Sequence, residues 1–286
     1  MRNLRLATFL VCGTLLVGGA ALSAGSPGTA SRVRHRVSAQ DLLRKVVEHE
    51  ISADKEDQSH WMYRSTSRKP GRVVTKEVIE TKQGELDRLL SIDGKDISEE
   101  QQKSESERIQ KLVSDPQELQ KLQKDQEHDS DQSEHLLSVL PDAMIASYGG
   151  RRGGLITLNL KPNPQYHPTS HETEVFHSMA GKMWVNAKEN RLAEIDGHLI
   201  KRVEFGGGLL GHLEKGGEFH VTQSEVGPGH WEITALHIHM HGKALFFKSI
   251  GVEENETRSN FQRVPDDITL AQAAEKLEPR TEAAEQ

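Results

Sequence analysis

The chain has 286 residues, of which 35% are hydrophobic and 5% aromatic, and its formal net charge is −7. The apolar share is low for a globular protein, so part of the chain lies outside any hydrophobic core. An acidic chain without a large basic patch also lacks the surface that nucleic acids require, and we therefore expect no nucleic-acid partner.

The first 23 residues have the pattern of a secretory signal peptide. Arg2 and Arg5 precede an apolar run that ends in a small-x-small cleavage site. The alternative is an uncleaved anchor, because residues 6–24 are just long enough to span a bilayer. We expect a cleaved leader, a flexible mature start at residues 24–37, and membrane contact that is transient or made only through the leader.

The only cysteine, Cys12, lies inside this leader. The mature chain would therefore contain no disulfide and would depend on its core for stability. This favours a periplasm-like compartment over a small secreted scaffold held together by disulfides.

The mature chain is predicted to begin with one helix and three strands. Ser38 precedes the helix, whose apolar residues fall on one face as far as Ile51. Alternating apolar and polar residues then predict strands at 60–69, 72–82 and 85–94, with glycine-containing turns between them.

Residues 96–147 are predicted to form a polar helical insertion. Helix starts are expected at Ser98 and near Pro116, and the sparse apolar residues indicate helices that pack along one edge. A denser apolar helix is expected up to Tyr148, followed by a flexible loop at 149–154.

The stretch 183–265 alternates apolar and polar residues, with glycine-rich breaks every 8–14 residues. This pattern predicts an antiparallel meander with one buried face. The element order predicts an α+β fold: a curved, largely antiparallel sheet, incompletely closed, with helices packed on one side. We expect one domain at 38–277 and a polar tail at 278–286.

Motifs of catalysis and cofactor binding are weak in this sequence. Residues 205–211 contain G-x-G-x-x-G, but only four residues separate them from Gly216, too few for the helix of a dinucleotide site. We predict a hairpin connection there. Without a nucleophile motif in the mature chain, we expect a non-enzymatic protein without a cofactor.

Three histidines in the meander are the candidate metal ligands. His237, His239 and His241 alternate with apolar residues, so in a strand they share one face at a spacing of about 6.6 Å. Two of them could bind Zn²⁺ or Cu²⁺ if a neighbouring strand supplied a third ligand, whereas three on one strand cannot easily converge. The alternative is a histidine-rich polar strand surface.

Bulky apolar residues on the predicted strands are the candidates for lining a hydrophobic cavity. In one interpretation they pack an ordinary core, and in the other a curved sheet presents some of them to a hydrophobic ligand. The candidates are Trp184, Leu199, Phe205, Phe219, Trp231 and Phe246.

Several ordered segments together resemble the LolA-like proteins, also called outer-membrane lipoprotein-sorting proteins. After the leader and LLRKVVEHE, these segments are MWVNAKENRLAEIDGHLI, GLLGHLEKGGEF, GHWEI, GKALFFKSI and SNFQRVP. The resemblance covers mainly residues 183–265. It implies an incomplete antiparallel β-barrel whose concave side, covered by helices, shelters acyl chains without catalysis or a cofactor.

The leading functional hypothesis is thus an exported binding protein whose partner is a lipid or a lipidated protein. A second hypothesis is a periplasmic metal-binding or sensory module that uses His237, His239 and His241. A third is an envelope module that presents its sheet edge or its acidic helices to another envelope protein.

Overall fold

The computed structural model describes residues 37–170, 172–208, 210–244 and 248–279, so the predicted signal peptide lies outside the described residues. The described helices are α1 (Ala39–Glu56), α2 (Glu99–Ser114), α3 (Pro116–Ala143), α4 (Leu270–Leu277) and the 3₁₀ helices Glu172–Ser178 and Gly206–Gly208. The described strands are β1 (His60–Lys69), β2 (Arg72–Thr81), β3 (Gly84–Ile92), β4 (Lys95–Asp96), β5 (Met144–Arg152), β6 (Leu155–Pro162), β7 (Met179–Asn186), β8 (Arg191–Leu199), β9 (Val203–Phe205), β10 (Gly211–Leu213), β11 (Glu218–Gly227), β12 (His230–Ala244) and β13 (Lys248–Val264).

These strands form a single antiparallel sheet. Its order is β4-β3-β2-β1-β13-β12-β11-β8-β7-β6-β5, with β10 paired to the end of β12 and β9 paired to β10. The pairing of β1 with β13 joins the two strand groups that the sequence predicts. Among the described strands, the two ends of this path do not pair with each other, so the sheet stays open. The predicted α+β class with a largely antiparallel, incompletely closed sheet is confirmed.

The predicted helix starts are present as side-chain caps. Ser38 accepts a hydrogen bond from the backbone of Asp41 at the start of α1. Ser98 and Gln101 form a reciprocal capping box at the start of α2, and Asp115 caps α3 just before Pro116. Each cap satisfies backbone N–H groups that the first helical turn leaves without an intrahelical partner.

The glycine run after β9 is a turn, as predicted. Gly206, Gly207 and Gly208 have φ angles of 57°, 64° and 87°, in the left-handed region that favours glycine. Strands β9 and β10 on either side pair antiparallel. The run therefore connects a hairpin and does not begin the helix that a nucleotide-binding loop needs.

The helix predicted to extend to Tyr148 ends five residues earlier, at Ala143. The side chain of Gln40 donates hydrogen bonds to the carbonyl oxygens of Pro141 and Met144 and accepts one from the N–H of Ala146. These bonds turn the chain away from the helix into β5, which pairs with β6. The predicted flexible loop at 149–154 is accordingly the end of β5 and a tight turn.

The main core lies between the helices and one face of the sheet. Leu43 and Val46 of α1 are fully buried there, together with Ala143 at the end of α3. They pack against apolar residues of β5–β8, β11 and β12, such as Met183 and Leu158. Burial of this surface removes apolar area from water and positions both helices over the sheet.

A smaller core holds α2 and α4 against β2 and β3. Ile109 is the buried residue of α2, and it packs with Ile79 and Leu86 of the sheet and with Leu270 of α4. The predicted one-edge packing of the insertion is therefore observed for α2. Among the described helices, none is both long and apolar enough to cross a membrane.

The packing of α2 against the sheet can be tested through the pH dependence of stability. Burial opposes the ionisation of Glu105, but hydrogen bonds from Arg108 and from the Leu89 N–H outweigh it and lower the pKa of this carboxyl below its usual 4.5. A lowered pKa adds stability above the pKa of the unfolded chain, and this stability is lost as the pH falls through the folded value. We expect Glu105→Gln to reduce stability at pH 7, and we expect this loss to become smaller as the pH falls below 4.5, as measured by urea unfolding.

Candidate functional site

The three histidines of β12 lie on one face of the strand, as predicted. The alternating residues Ile238 and Met240 are buried in the main core. The histidine side chains consequently point away from that core. Beside them, β11 and β13 place Glu218 and Glu253 directly opposite His239.

The histidines form a pair and a separate third residue. The Nε2 atoms of His239 and His241 are 3.1 Å apart, and their rings meet edge to face. The His237 ring instead contacts Asn255, with Nδ1 2.6 Å from Oδ1. Within the described residues, no group of three or more His, Cys, Asp or Glu side chains is arranged to hold a metal ion. The predicted set is therefore not assembled as one metal centre.

An apolar cavity of about 60 Å³ lies between α3, the 3₁₀ helix at 172–178 and the strands β7, β8 and β11. We call it the apolar cavity. Its walls are formed almost entirely by apolar groups, notably Leu136, Leu137, Leu140, Val175, Phe176, Met179, Ile195 and Phe219. Such a space favours hydrocarbon over water, because water would find few hydrogen-bond partners in it.

Two glycines allow the sheet to form the floor of this cavity. Gly181 of β7 and Gly197 of β8 are paired with each other, and Phe219 of β11 is paired with Gly197. A Cβ atom on Gly197 would lie 2.3 Å from the Phe219 ring, too close for any side chain. Glycine at this position therefore lets the ring lie against the strand and face the cavity.

A second, polar cavity of about 350 Å³ lies beside the C-terminal end of α1. We call it the polar cavity. A buried ion pair forms part of its wall, in which Arg191 Nε and Nη2 lie 2.8 and 3.1 Å from the two carboxylate oxygens of Glu50. Glu50 also accepts a hydrogen bond from the Leu192 N–H. These bonds fix α1 on β8 and define one side of the cavity.

Ser59, His230 and Asp57 meet at this cavity, but not as a catalytic triad. Ser59 Oγ is 3.2 Å and Asp57 Oδ2 is 3.3 Å from the same ring nitrogen, Nδ1 of His230. A triad needs the acid on one nitrogen and the nucleophile on the other. Ser59 is also buried and accepts a hydrogen bond from Trp61. The three side chains thus orient one another without forming an activated nucleophile.

The residues predicted to line a hydrophobic cavity are distributed over several places. Phe219 lines the apolar cavity, Leu199 is buried in the main core, and Phe205 packs against that core. Trp231 lines the polar cavity and donates a hydrogen bond to Glu189. Their roles in ligand binding stay predictions.

One further candidate, Trp184, is not among the lining residues of either cavity. Trp184 follows the core residue Met183 in β7, so its side chain lies on the other face of the sheet. There the guanidinium carbon of Arg152 lies 4.8 Å from the centre of the Trp184 ring. Phe246 lies outside the described residues.

Sequence reasoning missed the helical wall of the apolar cavity. The sequence predicts a dense apolar helix over the segment that contains Leu136, Leu137 and Leu140, but its pattern does not connect this helix with a cavity. Val175 and Phe176 come from the 3₁₀ helix Glu172–Ser178. The local apolar density of 136–144 was the available signal, but it does not say which strands the helix covers.

Comparisons with known proteins do not place this chain in a family. No protein-family model matches it. No curated protein matches it. Among solved structures, it is similar to a DUF1329 family protein from Desulfovibrio piger, with a TM-score of 0.31 and 11% identity, covering 79% of this chain and 93% of that chain. A likeness this low carries no inference about function.

Proposed function

We propose that the protein is an exported, non-enzymatic binding protein that shelters a hydrophobic group, such as a lipid acyl chain, in the apolar cavity. The observation that carries the proposal is the wall of this cavity, which consists almost entirely of apolar groups from α3, a 3₁₀ helix and the sheet. Each methylene group moved from water into such a site contributes about 0.8 kcal/mol. No charged clamp is then needed to hold an acyl chain.

Binding requires the cavity to open. Its volume is about 60 Å³, whereas ligand pockets usually have volumes of about 300–1,000 Å³. We infer that α3 moves away from the sheet when the ligand enters, because its C-terminal part forms one wall. An acyl chain would then replace the contacts that Leu136, Leu137 and Leu140 make with the sheet.

The contacts of α3 support its role as a movable lid. The middle of the helix, around Gln126 and Ser130, lies over a third cavity of about 530 Å³ that is lined mainly by polar residues, and not over the apolar core. Two ion pairs join it to α1, Lys55–Glu134 and Arg44–Asp142, and their side chains are between one-quarter and two-thirds exposed. Exposed pairs are worth about 0–1 kcal/mol each, so they would resist opening only weakly.

Export and the nature of the partner are parts of the same proposal. The leader pattern at residues 1–23 supports export to a periplasm-like compartment. The resemblance to LolA-like proteins agrees with a lipid or lipidated protein as the partner. Native mass spectrometry of the exported protein would report both loss of the leader and any bound lipid from the measured mass.

Filling the cavity is expected to weaken acyl-chain binding. Leu140→Phe puts a larger side chain into the cavity, so delipidated protein carrying it should bind dansyl-labelled undecanoic acid at least tenfold more weakly than the wild type. The matched control is Ile145→Phe, since Ile145 is exposed on β5 close in sequence. Dansyl fluorescence titration measures both affinities, and circular dichroism checks that both variants fold. No saturable uptake by the wild type, or equal affinities for the two variants, would contradict the proposal.

A further inference from the structure

We propose that the polar cavity is a second ligand site and that it binds a small organic cation. Its volume of about 350 Å³ lies within the about 300–1,000 Å³ of ordinary ligand pockets. Side chains from α1, β8, β11 and β12 line it, and the Glu50–Arg191 ion pair holds one wall in place. The size and the fixed walls are those of a site for a small molecule.

Gln223 points to a ligand that donates hydrogen bonds. This side chain lines the polar cavity and is only 5% exposed, yet its Oε1 atom accepts no hydrogen bond from the described residues. A buried amide oxygen is normally paired, because an unpaired one loses its hydration without compensation. A bound N–H or O–H group would supply the missing donor.

A bulge in the sheet lies directly beside Gln223. The pairing of β11 with β12 shifts between Thr222 and Gln223, so that β12 contains one extra residue at this point. Bulges redirect side chains and are frequent beside functional sites. Gln223 alternates with the core residues Phe219 and Val221 along β11, so it lies on the face that α1 covers, and the bulge brings Ile233 opposite it.

The charge around the cavity favours a cation. Among its lining residues, five carboxylates (Glu50, Asp54, Glu56, Asp57 and Asp266) face two guanidinium groups (Arg191 and Arg263), an excess of three negative charges with the histidines neutral. The helix α1 also ends here, and the C-terminal end of a helix carries partial negative charge. Both fields attract an ammonium group and repel an anion.

Three four-carbon probes of different charge test the proposal. We expect 1,4-diaminobutane to bind saturably in isothermal titration calorimetry and to bind more weakly as NaCl is raised from 50 to 500 mM. We expect 1,4-butanediol and succinate to give no saturable binding, because they lack the positive charge. Absence of saturable diamine binding, or binding of succinate in its place, would overturn the proposal.

The variant Gln223→Leu assigns the binding to this cavity. It should reduce diamine affinity at least tenfold without lowering the melting temperature, because the amide oxygen that it removes makes no hydrogen bond in the described part of the protein. Gln110→Leu, an exposed change on α2, is the matched control and should bind like the wild type. Unchanged affinity in Gln223→Leu would also overturn the proposal.

This site is independent of the proposed acyl-chain site. The two cavities share no lining residue. Leu140→Phe should therefore leave diamine binding unchanged, and Gln223→Leu should leave binding of the dansyl-labelled fatty acid unchanged. Failure of one proposal would thus be distinguishable from failure of the other.

Discussion

Replacing Glu50 with alanine is expected to lower the free energy of unfolding by about 3–5 kcal/mol, because it leaves a buried guanidinium without its partner. Glu50 is 3% exposed, and its carboxylate accepts two hydrogen bonds from Arg191 and one from the Leu192 N–H. The substitution removes all three acceptor contacts at once. Since Glu50 belongs to α1 and Arg191 to β8, the loss should also loosen this helix on the sheet.

Urea unfolding at pH 7 measures this effect against a matched ion pair at the surface. Asp142→Asn breaks the exposed Arg44–Asp142 pair and should cost at most about 1 kcal/mol. Replacing both buried partners, as in Glu50→Leu with Arg191→Met, should restore most of the stability, because an apolar pair leaves no charge unpaired. Equal losses for Glu50→Ala and Asp142→Asn would show that the buried pair has no special role.

Much of the fold follows from local patterns. The caps at Ser98 and Asp115 mark the helix starts, and the alternation over residues 183–265 predicts the strands of the meander. The end of α3 is different, because it depends on hydrogen bonds from Gln40, about one hundred residues earlier in the chain. A contact so distant in sequence leaves no local signal, and for this reason the sequence predicts a helix for the first half of β5 and a loop for the second half.

The candidate sites were less predictable than the fold for a related reason. Alternation correctly places His237, His239 and His241 on one face, but it cannot say that the side chain of His237 turns to Asn255. Alternation also does not predict which face of a strand the helices cover, and Trp184 lies on the face that they leave uncovered. At β12 the bulge changes the alternation itself, which brings Trp231 to the polar cavity.

Phe219→Ala is expected to lower the free energy of unfolding by about 3–5 kcal/mol and, at the same time, to strengthen acyl-chain binding. The ring is 8% exposed and lines the apolar cavity, so its removal enlarges a space that is already apolar. Enlarged apolar cavities stay dry and take up apolar ligands. We therefore expect higher affinity for dansyl-labelled undecanoic acid, in the opposite direction from Leu140→Phe.

Trp184→Ala separates the loss of stability from the change in binding. Trp184 is 9% exposed, and its removal should cost a similar amount of stability, about 3–5 kcal/mol. Its ring lies on the other face of the sheet, under Arg152, so the affinity for the fatty-acid probe should stay at the wild-type value. The milder Phe219→Leu should keep the direction of the affinity change in a more stable protein. If all three variants bind the probe alike, the apolar cavity is a feature of core packing and the ligand lies elsewhere.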